Sequence, residues 1–168
     1  MKGKPVVIRT LDIGADKVLT AAARESLGMG RGAPRPESNP ALGLRAIRYC
    51  LAYPELFLTQ LRAILRASAY GPVRILVPMV STREEILALK RRMTRQVAAL
   101  REEGHVLAEH VPVGAMIEVP AAAIALPTFI DQVDFLSVGT NDLVQYLLAA
   151  DRNNEALAEL YTPLHPAG

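Results

Sequence analysis

Short apolar runs of strand length alternate along this chain with stretches whose apolar residues recur at helical spacing. Four runs of the first kind stand out, at 5–14, 73–79, 113–120 and 133–139. Each is short, apolar and bounded by turn residues or charge, the signature of a buried strand. Between them, Leu44, Ile47, Cys50 and Leu51 share one face of a helix over 39–52. Pro54 suits the first turn of a following helix lined by Phe57, Leu61, Ile64 and Leu65. Ser-Thr-Arg-Glu at 81–84 has the spacing of a capping box. It opens a long helix with Ile86, Leu89, Met93, Val97 and Leu100 on one face and Gly104 as its stop. A short helix over 121–126 and a helical pattern after Asp142 complete the series β, α, α, β, α, β, α, β, α. That alternation predicts an α/β fold with a parallel sheet and right-handed crossovers.

Composition narrows the function classes. With 168 residues, 51% of them hydrophobic, the chain suffices for one core and roughly one domain. Nineteen Lys and Arg face seventeen Asp and Glu, and the basic residues are scattered, so no electrostatic footprint for nucleic acid emerges. Lys90, Arg91, Arg92 and Arg95 read as the solvated face of the long helix. The apolar runs fall short of the ~20 residues a membrane-spanning helix needs. A single cysteine, Cys50, sits among core positions, reads as a buried inert thiol and fits a reducing cytoplasm. The stretch 18–38, rich in Gly and Pro, reads as an exposed loop with a short helix at most.

Three strands end in charge inside otherwise apolar sequence: Arg9, Glu118, and the pair Asn141-Asp142. In a parallel sheet those ends share one rim, where ligands of α/β folds bind. A carboxylate on a buried strand needs a partner, because an isolated buried charge is too costly. A hard cation answers that need: Mg²⁺ takes one or two carboxylates and fills its remaining positions with water and phosphate oxygens. Arginines on the same rim suit a phosphate through their forked donors. Two blander readings stand beside this one. Thr140 or Asp142 caps the last helix, and Arg9 forms an internal salt bridge with Glu118. The pattern thus points to an anion-and-metal rim without fixing a reaction.

The wording of five stretches goes further: Val-Ile-Arg-Thr-Leu-Asp-Ile-Gly-Ala-Asp-Lys (7–17), Asn-Pro-Ala-Leu-Gly-Leu-Arg-Ala-Ile-Arg (39–48), Leu-Arg-Ala-Ile-Leu-Arg-Ala-Ser (61–68), Met-Ile-Glu-Val-Pro-Ala-Ala (116–122) and Phe-Leu-Ser-Val-Gly-Thr-Asn-Asp-Leu (135–143). Collinear and covering nearly the whole chain except 18–38, they closely resemble the enzyme I family of the bacterial sugar phosphotransferase system. The resemblance implies a phosphoenolpyruvate-binding (β/α)8 barrel that uses Mg²⁺ to pass the phosphoryl group to a histidine on a separate domain. From there it goes to a small phosphocarrier protein. The resemblance also implies a homodimer when complete, in the cytoplasm. By position, Glu118 and Asp142 resemble the metal ligands and Asn141 a phosphoenolpyruvate contact. Arg9 and Arg152 resemble the substrate-binding arginines, with Arg45 and Lys17 as rim partners.

Set against that family, residues 1–168 correspond to a partial TIM barrel, about four parallel strands with flanking helices, the third to sixth of eight. The first substrate arginine, the Gly-x-Cys-Gly-Glu segment whose cysteine protonates the enolate, and the domain with the phosphorylated histidine have no counterpart in these residues. No catalytic residue is therefore assigned within them, and none of His105, His110 or His165 matches the phosphohistidine motif. The expectation is a fragment inactive on its own. Pyruvate phosphate dikinase and phosphoenolpyruvate synthase share the barrel and similar carboxylates. A non-catalytic ligand-binding or dimerisation module is the alternative of another class.

Overall fold

The computed structural model describes residues 3–12, 37–162 and 164–165. Four strands, β1 (Val6–Arg9), β2 (Val73–Val77), β3 (Val113–Ile117) and β4 (Phe135–Val138), form one parallel sheet in the order β1-β2-β3-β4. Sequential order without reversal is what successive β/α units of a barrel give, whereas a doubly wound sheet reverses. The sheet is open among the described residues, with β1 and β4 at its edges. The expected α/β fold of four parallel strands with flanking helices is therefore what forms.

Strand register divides the sheet into two faces. Ile75 pairs with Val113 and Val77 with Ala115, and these side chains are buried. They join Ile47, Phe57, Leu61, Leu65, Ile86 and Leu89 in one apolar cluster. The contributing helices are α1 (Ala46–Ala52), α2 (Pro54–Ala67) and α3 (Arg83–Glu102). The opposite face carries Arg9, Leu76, Gly114, Met116 and Phe135, of which Gly114 pairs with Phe135. A Cβ at 114 would lie 2.4 Å from the Phe135 ring, so glycine is what makes room for that ring beside β3. At the β4 edge, Val138 is 64% exposed.

Local chemistry sets the element ends, and it corrects the sequence reading in two places. The long helix α3 is capped one residue later than expected. Thr82 accepts from the Glu85 N–H, and Glu85 accepts from the Thr82 N–H at 3.0 Å. The run Ser81-Thr82-Arg83-Glu84-Glu85 satisfies the box spacing in two registers, and the earlier Ser81 hydroxyl instead accepts from Arg48 at 3.0 Å. The stretch 39–52 is not one helix. A 3-10 turn, Pro40–Leu42, precedes α1, and Arg45 stands between them in an extended conformation as the N-cap of α1. Gly104, at φ 84, follows α3 as its expected stop. A short helix α4 (Pro120–Ile124) leads through two 3-10 turns into β4, and α5 (Thr140–Leu148) follows it.

Candidate active-site rim

Parallel pairing brings the C-terminal ends of β1, β3 and β4 to one edge, where Glu118 and Asp142 lie near enough for their charges to act on each other. Glu118 directly follows β3 and is only 4% exposed. Its Oε1 accepts the Met79 N–H at 2.6 Å. Burial drives the Glu118 carboxyl up to about 7; the Met79 N–H pulls against this, and the neighbouring carboxylates Asp142 and Asp12 reinforce it. A cation placed beside this carboxyl would offset both the burial and the repulsion. No ion pair joins Arg9 to Glu118 among the described residues, so the internal salt bridge is not the arrangement found.

Asp142 lies in the first turn of α5, whose N-cap is Gly139 without a side-chain cap. Neither Thr140 nor Asp142 caps that helix. The Asp142 carboxylate instead meets two arginines. Arg45 donates from Nη1 to Oδ1 at 3.3 Å and from Nη2 to Oδ2 at 3.4 Å, and Arg152 donates from Nη1 to Oδ1 at 3.3 Å.

Arg45, 1% exposed, is the best-buried charge of the rim. Its Nε and Nη2 also fork onto Asp12, at 3.2 Å and 3.0 Å to Oδ1. Burial disfavours the guanidinium's charge, but Asp12 and then Asp142 outweigh it and hold its pKa above the ordinary arginine value. Its Nη1 further donates to the Tyr146 hydroxyl at 3.4 Å, while that hydroxyl donates to the Ala41 carbonyl. Arg45 is thus a brace that orients carboxylates, committed to protein partners on all sides.

The remaining expected residues divide. Arg9 ends β1 on the sheet face opposite the helices, exposed, with no hydrogen bond or ion pair from its side chain among the described residues. Such a guanidinium is free to take an anion. Arg152 is an exposed residue whose side chain, 31% exposed, lies against the Asp142 carboxylate ten residues earlier. Asn141 is exposed on the first turn of α5, its carbonyl accepting from Tyr161 at 3.0 Å. Lys17 lies outside the described residues. Asp12, Met79, Gln145 and Tyr146 join the site without a sequence signal that marks them as site residues. Asp12 shows in the sequence only as a charge at the end of an apolar run; Met79 acts through its backbone, which no side-chain pattern reveals.

Among the described residues no three His, Cys, Asp or Glu side chains cluster closely enough to hold a metal by themselves. Two carboxylates are what Mg²⁺ takes from a protein when water and phosphate oxygens supply the rest, so Glu118 and Asp142 suit it.

A family model described as PEP-utilising enzyme, PEP-binding domain, matches residues 1–168. The chain belongs to that family. This PEP-binding domain is 55% identical over 170 residues to the phosphoenolpyruvate-protein phosphotransferase of Cupriavidus necator, covering 99% of the chain and 27% of that protein. It is 48% identical over 167 residues to the proteins of the same name from Priestia megaterium and Geobacillus stearothermophilus, again covering 99% of the chain and 27% of each. The domain therefore spans about a quarter of the length of the curated relatives it matches. No described helix is long and apolar enough to cross a membrane.

Proposed function

We propose that this domain is part of a cytoplasmic, homodimeric enzyme I. It would bind phosphoenolpyruvate for Mg²⁺-dependent transfer of the phosphoryl group to a protein histidine, and from there to a phosphocarrier protein, the first step of sugar phosphotransfer. The observation that carries this reading is a rim with two buried carboxylates, Glu118 and Asp142, the second paired with Arg45 and Arg152, in a chain of the PEP-binding family.

On this reading Glu118 and Asp142 hold Mg²⁺. When bound, the ion neutralises charge on the phosphoryl group and on the enolate left behind. Arg9 and Arg152 take the phosphate oxygens through their forked N–H groups, and Asn141 offers its amide to the substrate. Arg45 keeps the Asp142 carboxylate turned toward the rim while itself staying buried. Lys17 is a further rim cation. Residues 1–168 contribute substrate and metal binding. The enolate's proton donor and the phosphorylated histidine belong to other parts of the complete enzyme, so this piece alone does not turn over.

The test is to supply the complete polypeptide with phosphoenolpyruvate, Mg²⁺ and a histidine phosphocarrier, and to follow pyruvate. Release that stops on chelation of the divalent ion is expected. No pyruvate from a folded complete protein would overturn the reading.

A further inference from the structure

We infer that Gln145 is the positioning residue for Arg152 and thereby sets how tightly the rim holds phosphoenolpyruvate, an inference that rests on the function proposed above. The return of the chain after α5 converges on this one side chain and its backbone. Ala149 takes the left-handed conformation, φ 51, and its N–H donates to the Gln145 carbonyl. The Ala150 N–H donates to the same carbonyl at 3.1 Å. The Arg152 N–H then donates to Gln145 Oε1 at 3.1 Å. Three donors of the return, from Ala149, Ala150 and Arg152, are thus fastened to a single helical residue.

The consequence is positional. Residues three and four apart share a helix face, so Gln145 lies one turn along α5 from Asp142. Fastening Arg152 there brings its guanidinium back to Asp142, 3.3 Å from Nη1 to Oδ1. Without that fastening, an arginine on an exposed return would sample many rotamers, and ordering it on a ligand would cost affinity.

Gln145 itself is 6% exposed. A polar side chain at such a depth costs stability unless it is hydrogen-bonded. Gln145 touches neither carboxylate of the rim in any hydrogen bond found among the described residues. Its action on the ligand runs through Arg152.

Two variants of the complete polypeptide test this. Gln145→Leu keeps the bulk and removes the acceptor; Gln145→Glu keeps an acceptor for the Arg152 N–H. Gln145→Leu is expected to raise KM for phosphoenolpyruvate roughly tenfold, the size of one hydrogen bond, with kcat within about threefold of wild type. Calorimetric titration of phosphoenolpyruvate, without phosphocarrier, should show the same loss of affinity. Gln145→Glu should recover most of it. A Gln145→Leu protein with wild-type KM, one that lowers kcat alone, one that does not fold, or a Gln145→Glu protein no better than it, would each overturn the inference. A wild-type protein that neither binds phosphoenolpyruvate nor releases pyruvate would instead remove the proposed function, and the inference with it.

Discussion

The carboxylate of Glu118 occupies the space that a side chain at Gly139 would need. A Cβ built at 139 would lie 2.5 Å from Glu118 Oε2, 2.7 Å from its Cβ and 3.1 Å from Met116 Sδ. The end of β4 thus has to be glycine for the end of β3 to carry an inward carboxylate. Because the Gly139 N–H is also bonded to the Ile117 carbonyl at 3.0 Å, the backbone cannot simply step aside. Gly139→Ala is expected to cost on the order of 1–3 kcal/mol of stability, as overpacking does. It should also weaken divalent-ion binding by pushing Glu118 off the rim. Denaturant unfolding and Mn²⁺ titration of the variant check both; an unchanged ion affinity would detach Glu118 from the metal.

Arg45 stands between Asp12 and Asp142, and its removal would take a buried cationic partner from both carboxylates at once. Breaking a buried pair on one side typically costs roughly 3–5 kcal/mol. Arg45→Met is therefore expected to lose stability of that order, measured by denaturant unfolding. A loss below about 1 kcal/mol, the worth of a surface pair, would contradict the bracing role.

Arg9 is expected to behave in the opposite way, since it is exposed and pairs with nothing among the described residues. Arg9→Lys should leave the unfolding midpoint unchanged. It should still weaken phosphoenolpyruvate use by about 1.5–3 kcal/mol, because a planar fork loses its second charge-assisted bond to a point charge. Wild-type turnover at limiting substrate would contradict the assignment.

How far the sequence carried can be seen at particular residues. Ile75, Val77, Val113 and Ala115 sit in runs apolar enough to be read as buried strands, and the parallel order followed from their alternation with helices. Arg9, Glu118 and Asp142 stand out in the sequence as candidates because each interrupts or ends such a run. The break before α1 was not legible. Arg45 leaves the helix pattern because its guanidinium is held by Asp12 and Asp142, 33 and 97 residues away. A local periodicity cannot register partners at that distance. The cap of α3 slipped by one because two overlapping boxes fit the same letters, and only the Thr82–Glu85 pair closes. Gln145 escaped for a related reason: a lone glutamine in a helix usually faces water, and only the fold shows it receiving the Arg152 N–H.

Cys50 supplies a prediction in pH. Burial first, then the nearby Asp12 carboxylate, push its thiol from 9.0 to about 12, against a smaller opposing backbone hydrogen bond. Its stabilising contribution is therefore complete below about pH 9, where the thiol is protonated folded or unfolded, and is lost as pH rises from there through 12. At pH 8 the native protein should resist iodoacetamide and react only as fast as it unfolds. Rapid alkylation of the folded protein would show the thiol to be accessible after all.

Mg²⁺ titration of pyruvate release decides whether Glu118 and Asp142 hold the divalent ion for phosphoryl transfer. The proteins to compare are the complete wild type and its Glu118→Gln and Asp142→Asn variants, each first shown to be folded by its unfolding midpoint. The expected result is Mg²⁺-dependent release in the wild type and none in either variant at any Mg²⁺ concentration. Wild-type turnover by either variant at saturating Mg²⁺ would contradict the claim.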